Sequence, residues 1–138
     1  MLRQLTAEQF LEERHNLPDA GQWAELVEGI PICLSAPDLH HGNTVLNLSK
    51  RLAEYVQRTE FGYPCFDLGL RLRRDPDTIR FPAVAYFVEG PRFGESDKPY
   101  TDAVPMLVVE VISTADRVEQ LASRLAGLTA SVLTPGSA

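Results

Sequence analysis

The feature that most constrains this chain is a single carboxylate within its most apolar segment. Residues 106–112 read Met-Leu-Val-Val-Glu-Val-Ile, and such a continuous apolar run is typical of a strand buried on both faces. Burial of the Glu110 carboxylate is costly unless the group is paired, hydrogen-bonded or bound to a metal ion. We therefore interpret Glu110 as a functional residue. The alternative is a glutamate at an open sheet edge or a strand end, with its side chain facing water.

The hydrophobic periodicity of the whole chain predicts a mixed α/β fold. Its elements, in chain order, are a helix after a Thr6–Gln9 capping box, a hairpin over 23–34, a helix over 38–60, strands over 65–72 and 78–87, a polar loop over 89–105, a strand over 106–112 and a helix over 116–128. The strand over 65–72 is expected to bury Phe66, and Pro82 places the strand over 78–87 at an edge or a bulge. We expect one domain over residues 1–128, a mixed sheet flanked by helices, and a frayed tail over 129–138.

The composition excludes several classes of protein. The chain has 138 residues, 44% of them hydrophobic, and a net charge of −6, which fits a globular protein and not a collagen-like, disulfide-rich or disordered chain. The acidic balance argues against a strongly basic nucleic-acid-binding protein. The longest low-charge run, residues 81–88, is far shorter than the ~20 residues of a membrane-spanning helix. We expect Cys33 and Cys65 to be reduced core residues, in a cytoplasmic protein that does not contact membranes.

The other polar residues of interest are interpreted as follows, with alternatives where the sequence leaves them open. Glu25, at the start of the predicted hairpin, reads by itself as an exposed strand residue. His40 and His41 begin the long helix, and because adjacent positions do not share a helix face, a two-histidine metal site is disfavoured. His41 either contacts an anion or packs. Four arginines surround the predicted turn at 75–77, and these are Arg71, Arg73, Arg74 and Arg80. We interpret them as the solvated end of a hairpin, with phosphate binding as the alternative.

Four short segments occur together in an order and spacing that resemble a known family. They are Glu25-Leu-Val-Glu-Gly29, Ser35-Ala-Pro37 with His41 four residues after the proline, Asp77-Thr-Ile-Arg-Phe-Pro82, and Pro105-Met-Leu-Val-Val-Glu110-Val-Ile-Ser113. The chain thereby resembles the Uma-type restriction endonucleases, a bacterial family with the PD-(D/E)XK nuclease fold, over about residues 6–127. The resemblance implies a restriction-endonuclease-like mixed sheet and Mg²⁺-dependent hydrolysis of DNA.

The resemblance also implies the site residues. Glu110 matches the metal-binding strand glutamate, Glu25 the supporting glutamate of the hairpin, and His41 the family's histidine at the helix start, a substrate contact. Two positions depart from the family. Ala83 stands where the family has a metal-binding aspartate, and Arg124 stands where it has a lysine that orients the attacking water. The implied catalytic set is Glu110, Glu25 and Arg124, and the implied Mg²⁺ ligands are the two glutamates.

These departures leave alternative functions open. We hypothesise that Arg124 pairs with Glu110 and supplies the charge balance that a metal ion would give. One function is a DNA endonuclease in which Glu25 or Asp77 replaces the absent aspartate. Another is a catalytically inactive nuclease-fold module for binding or dimerisation, with a homodimer as one expected assembly. A third expectation is that the family's last strands are missing, which would leave an exposed sheet edge prone to association.

Overall fold

The computed structural model describes residues 3–112, 118–119 and 121–127. The helices are α1 (Ala7–Glu13), α2 (Leu39–Thr59) and α3 (helical at 121–127), and short 3₁₀ turns span Arg14–Asn16 and Pro18–Gly21. The strands are β1 (Ala24–Val27), β2 (Ile30–Cys33), β3 (Tyr63–Cys65), β4 (Gly69–Arg73), β5 (Thr78–Arg80), β6 (Val84–Phe87), β7 (Tyr100–Thr101) and β8 (Leu107–Val109). The predicted tail, residues 129–138, lies outside the described residues.

Two of the three predicted helix starts are confirmed by their caps, and the third, at residue 116, lies outside the described residues. The Thr6 hydroxyl accepts a hydrogen bond from the Gln9 backbone N–H, and the Gln9 side chain accepts one from the Thr6 N–H, which completes the capping box. The Asp38 carboxylate accepts from the His41 N–H at 2.9 Å and begins α2. The second cap fixes where His41 enters the helix, and this matters for the site below.

The strands form two sheets instead of the single sheet that was predicted. The first has the order β2-β1-β5-β4-β7 and the second the order β3-β6-β8, with β4 and β7 the parallel pair among antiparallel ones. The predicted hairpin is β1–β2, and its turn residues Glu28 and Gly29 both have positive φ, the geometry that suits a tight hairpin. The sheet arrangement is mixed, as the sequence predicted.

Two predicted strands each divide between the two sheets. The strand expected over 65–72 is interrupted after Cys65, where Asp67 has a φ of 58° and Phe66 is exposed. The strand expected over 78–87 is interrupted around Pro82, which has no N–H to donate to a sheet. Residues on both sides of each break are buried, so periodicity alone did not reveal the change of sheet.

The core consists of two apolar clusters. One packs α1 against the first sheet and has as its buried members Leu5, Ala7, Phe10, Ala24, Leu26 and Ile79. The other joins the two sheets and comprises Tyr63, Cys65, Leu68, Leu70, Ala85 and Phe87. Cys65 is buried as predicted. The prediction for Cys33 is wrong, because the residue ends the edge strand β2 and is exposed.

The apolar segment around Glu110 is less buried than its sequence predicts. Strand β8 covers only Leu107–Val109 and pairs with β6 at one edge of the second sheet. Val108 packs on the core, whereas Leu107 is 49% exposed, so burial on both faces is wrong. Glu110 follows directly after the strand. Among the described residues, no helix is both long and apolar enough to cross a bilayer.

Replacement of a leucine in the first core cluster should destabilise the chain strongly. Leu26 is fully buried, so we expect Leu26→Ala to lower the free energy of unfolding by about 2–5 kcal/mol through lost burial and a residual cavity. Urea denaturation measures this. The control Leu39→Ala removes a leucine that is 80% exposed and should change stability by about 0.5 kcal/mol or less. Equal losses for the two variants would contradict the assignment of the core.

Candidate functional site

The residues predicted from the sequence converge on one pocket. It has a volume of about 290 Å³ and lies where β1, the start of α2, the segment between β5 and β6, the end of β8 and α3 meet. All five positions of interest line it, namely Glu25, His41, Ala83, Glu110 and Arg124. They are separated by up to 99 positions in the chain, so only the fold brings them together.

Glu25 is the most heavily bonded carboxylate of the pocket. It accepts hydrogen bonds from Arg80 at 3.1 Å, from the Phe81 N–H at 2.8 Å and from Arg124. The residue is 2% exposed, so its reading as an exposed strand residue is wrong. Strand β1 lies between β2 and β5, inside the first sheet, so both of its edges are paired with neighbouring strands.

Arg124 binds both glutamates with one guanidinium group. Its Nε donates to Glu110 Oε2 at 2.5 Å and its Nη2 to Glu110 Oε1 at 3.0 Å, which is the bidentate geometry of a strong arginine–carboxylate pair. Its Nη1 donates to Glu25. The hypothesised Arg124–Glu110 ion pair is thus present in the structure, and Glu25 extends it. At 2% exposure, Arg124 is among the largest buried side chains.

The charges of the arginine–glutamate cluster balance one another. Burial disfavours the charged form of Arg124, but its hydrogen bonds and charge interactions with Glu110 and Glu25 outweigh burial and raise the pKa of Arg124 above its ordinary value. With Arg80, two arginines face two glutamates, and the formal charges cancel. Removal of any one member would leave an uncompensated buried charge.

The pocket residues do not fit the Mg²⁺ ion that the resemblance implies. A hard cation needs several oxygen ligands. The methyl group of Ala83 offers none, and both glutamates already accept hydrogen bonds from arginine. In the described part of the chain, no three His, Cys, Asp or Glu residues are grouped so that they could hold a metal ion.

Arg80 is a site residue that sequence reasoning assigned elsewhere. The prediction that it belongs to a solvated hairpin end is wrong, since it is 2% exposed. It donates to Glu25 and, at 3.3 Å, to the hydroxyl of Ser123 in α3. Its position between the apolar residues Ile79 and Phe81 was the available signal: a charge flanked by buried residues in an inner strand needs a buried partner.

Three further pocket residues gave no signal in the sequence: Arg14, Trp23 and Asp67. The Arg14 guanidinium lies 4.4 Å from the centre of the Phe81 ring, and its Nε donates to the Gly21 carbonyl at 2.6 Å. Burial lowers the pKa of Arg14, against the opposing charges of Asp67 and Glu25. These residues come from turns and connections that have no periodic pattern, which is why the sequence did not identify them.

Asp77, the other carboxylate proposed to replace the absent aspartate, is used elsewhere. Its carboxylate accepts from the Ala7 N–H at 2.7 Å, at the start of α1, and lies 3.7 Å from Arg71. Asp77 therefore anchors α1 and is not among the residues that line the pocket.

Comparisons with known proteins identify the fold and family to which this geometry belongs. Residues 11–126 match the family model Uma2, described as "Putative restriction endonuclease". The structure is similar to that of "a putative nuclease belonging to DUF820" from Anabaena variabilis, with a TM-score of 0.63 and 17% identity, over 91% of this chain and 68% of that one. The comparison with curated proteins gives no match. These findings confirm the predicted nuclease-like α/β fold and the resemblance.

Neutralising Glu25 should be far more damaging than neutralising a nearby exposed glutamate. In Glu25→Gln the buried arginines lose their shared carboxylate, and we expect a loss of about 3–5 kcal/mol in the free energy of unfolding. The matched control is Glu28→Gln, which breaks an exposed ion pair with Arg73 and should lose about 1 kcal/mol or less. Urea denaturation of both variants decides. Similar losses would show that the cluster is not held together by charge pairing.

Proposed function

Because the chain belongs to the Uma2 family, whose model describes a restriction endonuclease, we propose that it keeps the fold of a DNA endonuclease but does not carry out metal-dependent hydrolysis. The observation that carries this proposal is the guanidinium of Arg124, which binds both glutamates of the pocket. Its role is then that of a nuclease-fold binding module, with DNA as the partner class that the family implies.

The chemistry of phosphodiester hydrolysis explains why this arrangement favours a silent site. The family's reaction needs a cation that polarises the phosphate and helps to generate hydroxide. Here the lone pairs of Glu110 that face the pocket are engaged by Arg124, and Ala83 supplies no replacement ligand. Alanine at 83 and arginine at 124 therefore both reduce the number of oxygen ligands available to a cation.

Arg124 also cannot replace the family's lysine in proton transfer. An arginine side chain stays protonated at any physiological pH, and the two glutamates raise its pKa further. It can donate hydrogen bonds to a negatively charged group, but it cannot accept a proton from water. The pocket then has no group at this position that could activate the nucleophile.

The charge and thiol content bear on the partners and location in this proposal. A net charge of −6 disfavours strong salt-dependent attraction to the DNA backbone, so binding would depend on local contacts. An exposed free thiol at Cys33 is typical of a reducing compartment, which supports a cytoplasmic location.

Restoring the two family residues should restore cleavage if the site alone is degenerate. We expect no Mg²⁺-dependent cleavage of supercoiled or single-stranded DNA by the native chain, and cleavage by Ala83→Asp plus Arg124→Lys, followed by gel electrophoresis. The matched control, Ala53→Asp plus Arg51→Lys, makes the same changes on the exposed side of α2. Native cleavage that is abolished by EDTA would refute the proposal. Cleavage by neither protein would place the loss of activity beyond these two positions.

Titration with metal tests the same proposal without DNA. We expect calorimetry of the native chain with Mg²⁺ or Mn²⁺ to show no saturable heat, because the two glutamates are already neutralised by Arg80 and Arg124. The same titration into buffer without protein serves as the reference. Tight stoichiometric binding of either ion would show that Arg80 and Arg124 do not prevent the two glutamates from binding metal.

A further inference from the structure

Two opposite charges of the pocket lie outside the arginine–glutamate cluster. Arg14 and Asp67 both line the pocket. Burial lowers the pKa of Arg14 and the charge of Asp67 opposes this effect, so the two groups interact electrostatically. Yet neither takes part in an ion pair with any residue that the structure describes. Because the cluster satisfies its own charges, this separated pair is what the pocket offers to a ligand.

The contacts of Arg14 fix its position and leave one edge of its guanidinium available. Its Nε donates to the Gly21 carbonyl at 2.6 Å, and its Nη2 lies 3.4 Å from the Gln22 carbonyl oxygen. The group also lies 4.4 Å from the centre of the Phe81 ring. These contacts leave the hydrogens of Nη1 and the second hydrogen of Nη2. Arg14 can therefore give a ligand two parallel N–H donors.

Asp67 supplies hydrogen-bond acceptors to the same pocket. The residue lies at the break between β3 and β4, where its φ of 58° is a conformation that aspartate tolerates. Within the described part of the chain, no donor binds its carboxylate. An ionised carboxylate has two oxygens and accepts from two donors at once. The lining thus combines a two-donor group with a two-acceptor group.

We propose that this pocket binds a guanine base, with Arg14 donating to N7 and O6 of the base and Asp67 accepting from its N1–H and its 2-amino group. The inference rests on the proposed function in that it takes DNA as the partner class. It goes further by naming the recognised group and the two residues that recognise it. Because base pairing occupies N1–H and the 2-amino group, the partner is single-stranded DNA or a base extruded from a duplex.

Guanine is the base whose edges match these two side chains. Its N7 and O6 are adjacent acceptors, which arginine contacts with two hydrogen bonds. Its N1–H and 2-amino group are adjacent donors, which suit a carboxylate. Adenine and cytosine carry one amino donor each, and thymine has a single N–H, so each would leave Asp67 with one contact. A neutral base also suits the charge balance, since Arg14 and Asp67 cancel one another.

The size and walls of the pocket suit a single base. Its volume of about 290 Å³ is at the lower end of the range for small-ligand sites, and a duplex does not enter such a cavity. Its apolar lining includes two aromatic side chains, Trp23 and Phe81. Unpaired bases stack on aromatic rings in proteins that bind single strands. The walls therefore offer stacking, and Arg14 and Asp67 offer selectivity.

Fluorescence of Trp23, the single tryptophan of the chain, reports on binding. The native protein in EDTA is titrated with dGMP, dAMP, dCMP and dTMP, which share their sugar and phosphate. We expect dGMP to bind about tenfold more tightly than each of the others. With the native chain, 7-deaza-dGMP, which lacks N7, and dIMP, which lacks the 2-amino group, should each bind several-fold more weakly than dGMP. Equal binding of all nucleotides, or none of dGMP at millimolar concentration, overturns the inference.

Variants assign the two contacts. Asp67→Asn should remove the preference for dGMP over dIMP, and Arg14→Met the preference for dGMP over 7-deaza-dGMP. The controls Asp97→Asn and Arg51→Met change exposed residues and should keep both preferences. If Arg14→Met does not fold, the comparison of dGMP with 7-deaza-dGMP on the native chain tests the same contact. Preferences that persist in folded Asp67→Asn and Arg14→Met would refute the assignment.

The two proposals fail on different measurements. EDTA-sensitive DNA cleavage by the native chain refutes the proposed function, whereas the nucleotide preference is measured in EDTA, where no such cleavage occurs. Absence of a preference for guanine refutes the base-binding pocket, while a native chain that does not cleave DNA would still agree with the proposed function.

Discussion

The buried arginine–glutamate cluster is the constraint on which the arrangement of the two sheets and α3 depends. Glu25 receives Arg80 from β5 in the same sheet and Arg124 from α3, and Arg124 continues to Glu110 at the end of β8 in the other sheet. Charges at this depth are tolerated only when each is paired and hydrogen-bonded. The cluster therefore specifies how the elements meet more strictly than the apolar contacts around it, which accept many combinations of similar volume.

Charge balance also explains how a nuclease-like site can persist without the residues of a metal centre. Ala83 lines the pocket and offers no ligand oxygen, so a divalent ion there would be under-coordinated. The guanidinium of Arg124, together with that of Arg80, balances the two negative charges of the glutamates.

The sequence predicted the elements well where local chemistry decides them. Thr6 and Asp38 act through side chains that bond within three residues, and the hairpin turn at Glu28 needs only its own backbone geometry. It failed where distant packing decides. The exposure of Cys33 and the break after Cys65 depend on which sheet lies alongside, and Cys65 and Leu68, on the two sides of that break, are both buried.

In the candidate site too, the residues marked by their own neighbours in the sequence were predicted and those that depend on distant packing were missed. Glu110 was identified because a charge in an apolar run requires a partner, and the same argument applied to Arg80 would have found a second member of the cluster. Glu25 needed the resemblance, because its own neighbours do not show that β1 is an inner strand. Buried charges must cancel as a set. A lone acid and a lone base in separate apolar strands are therefore better read as candidate partners of each other than as two independent exceptions.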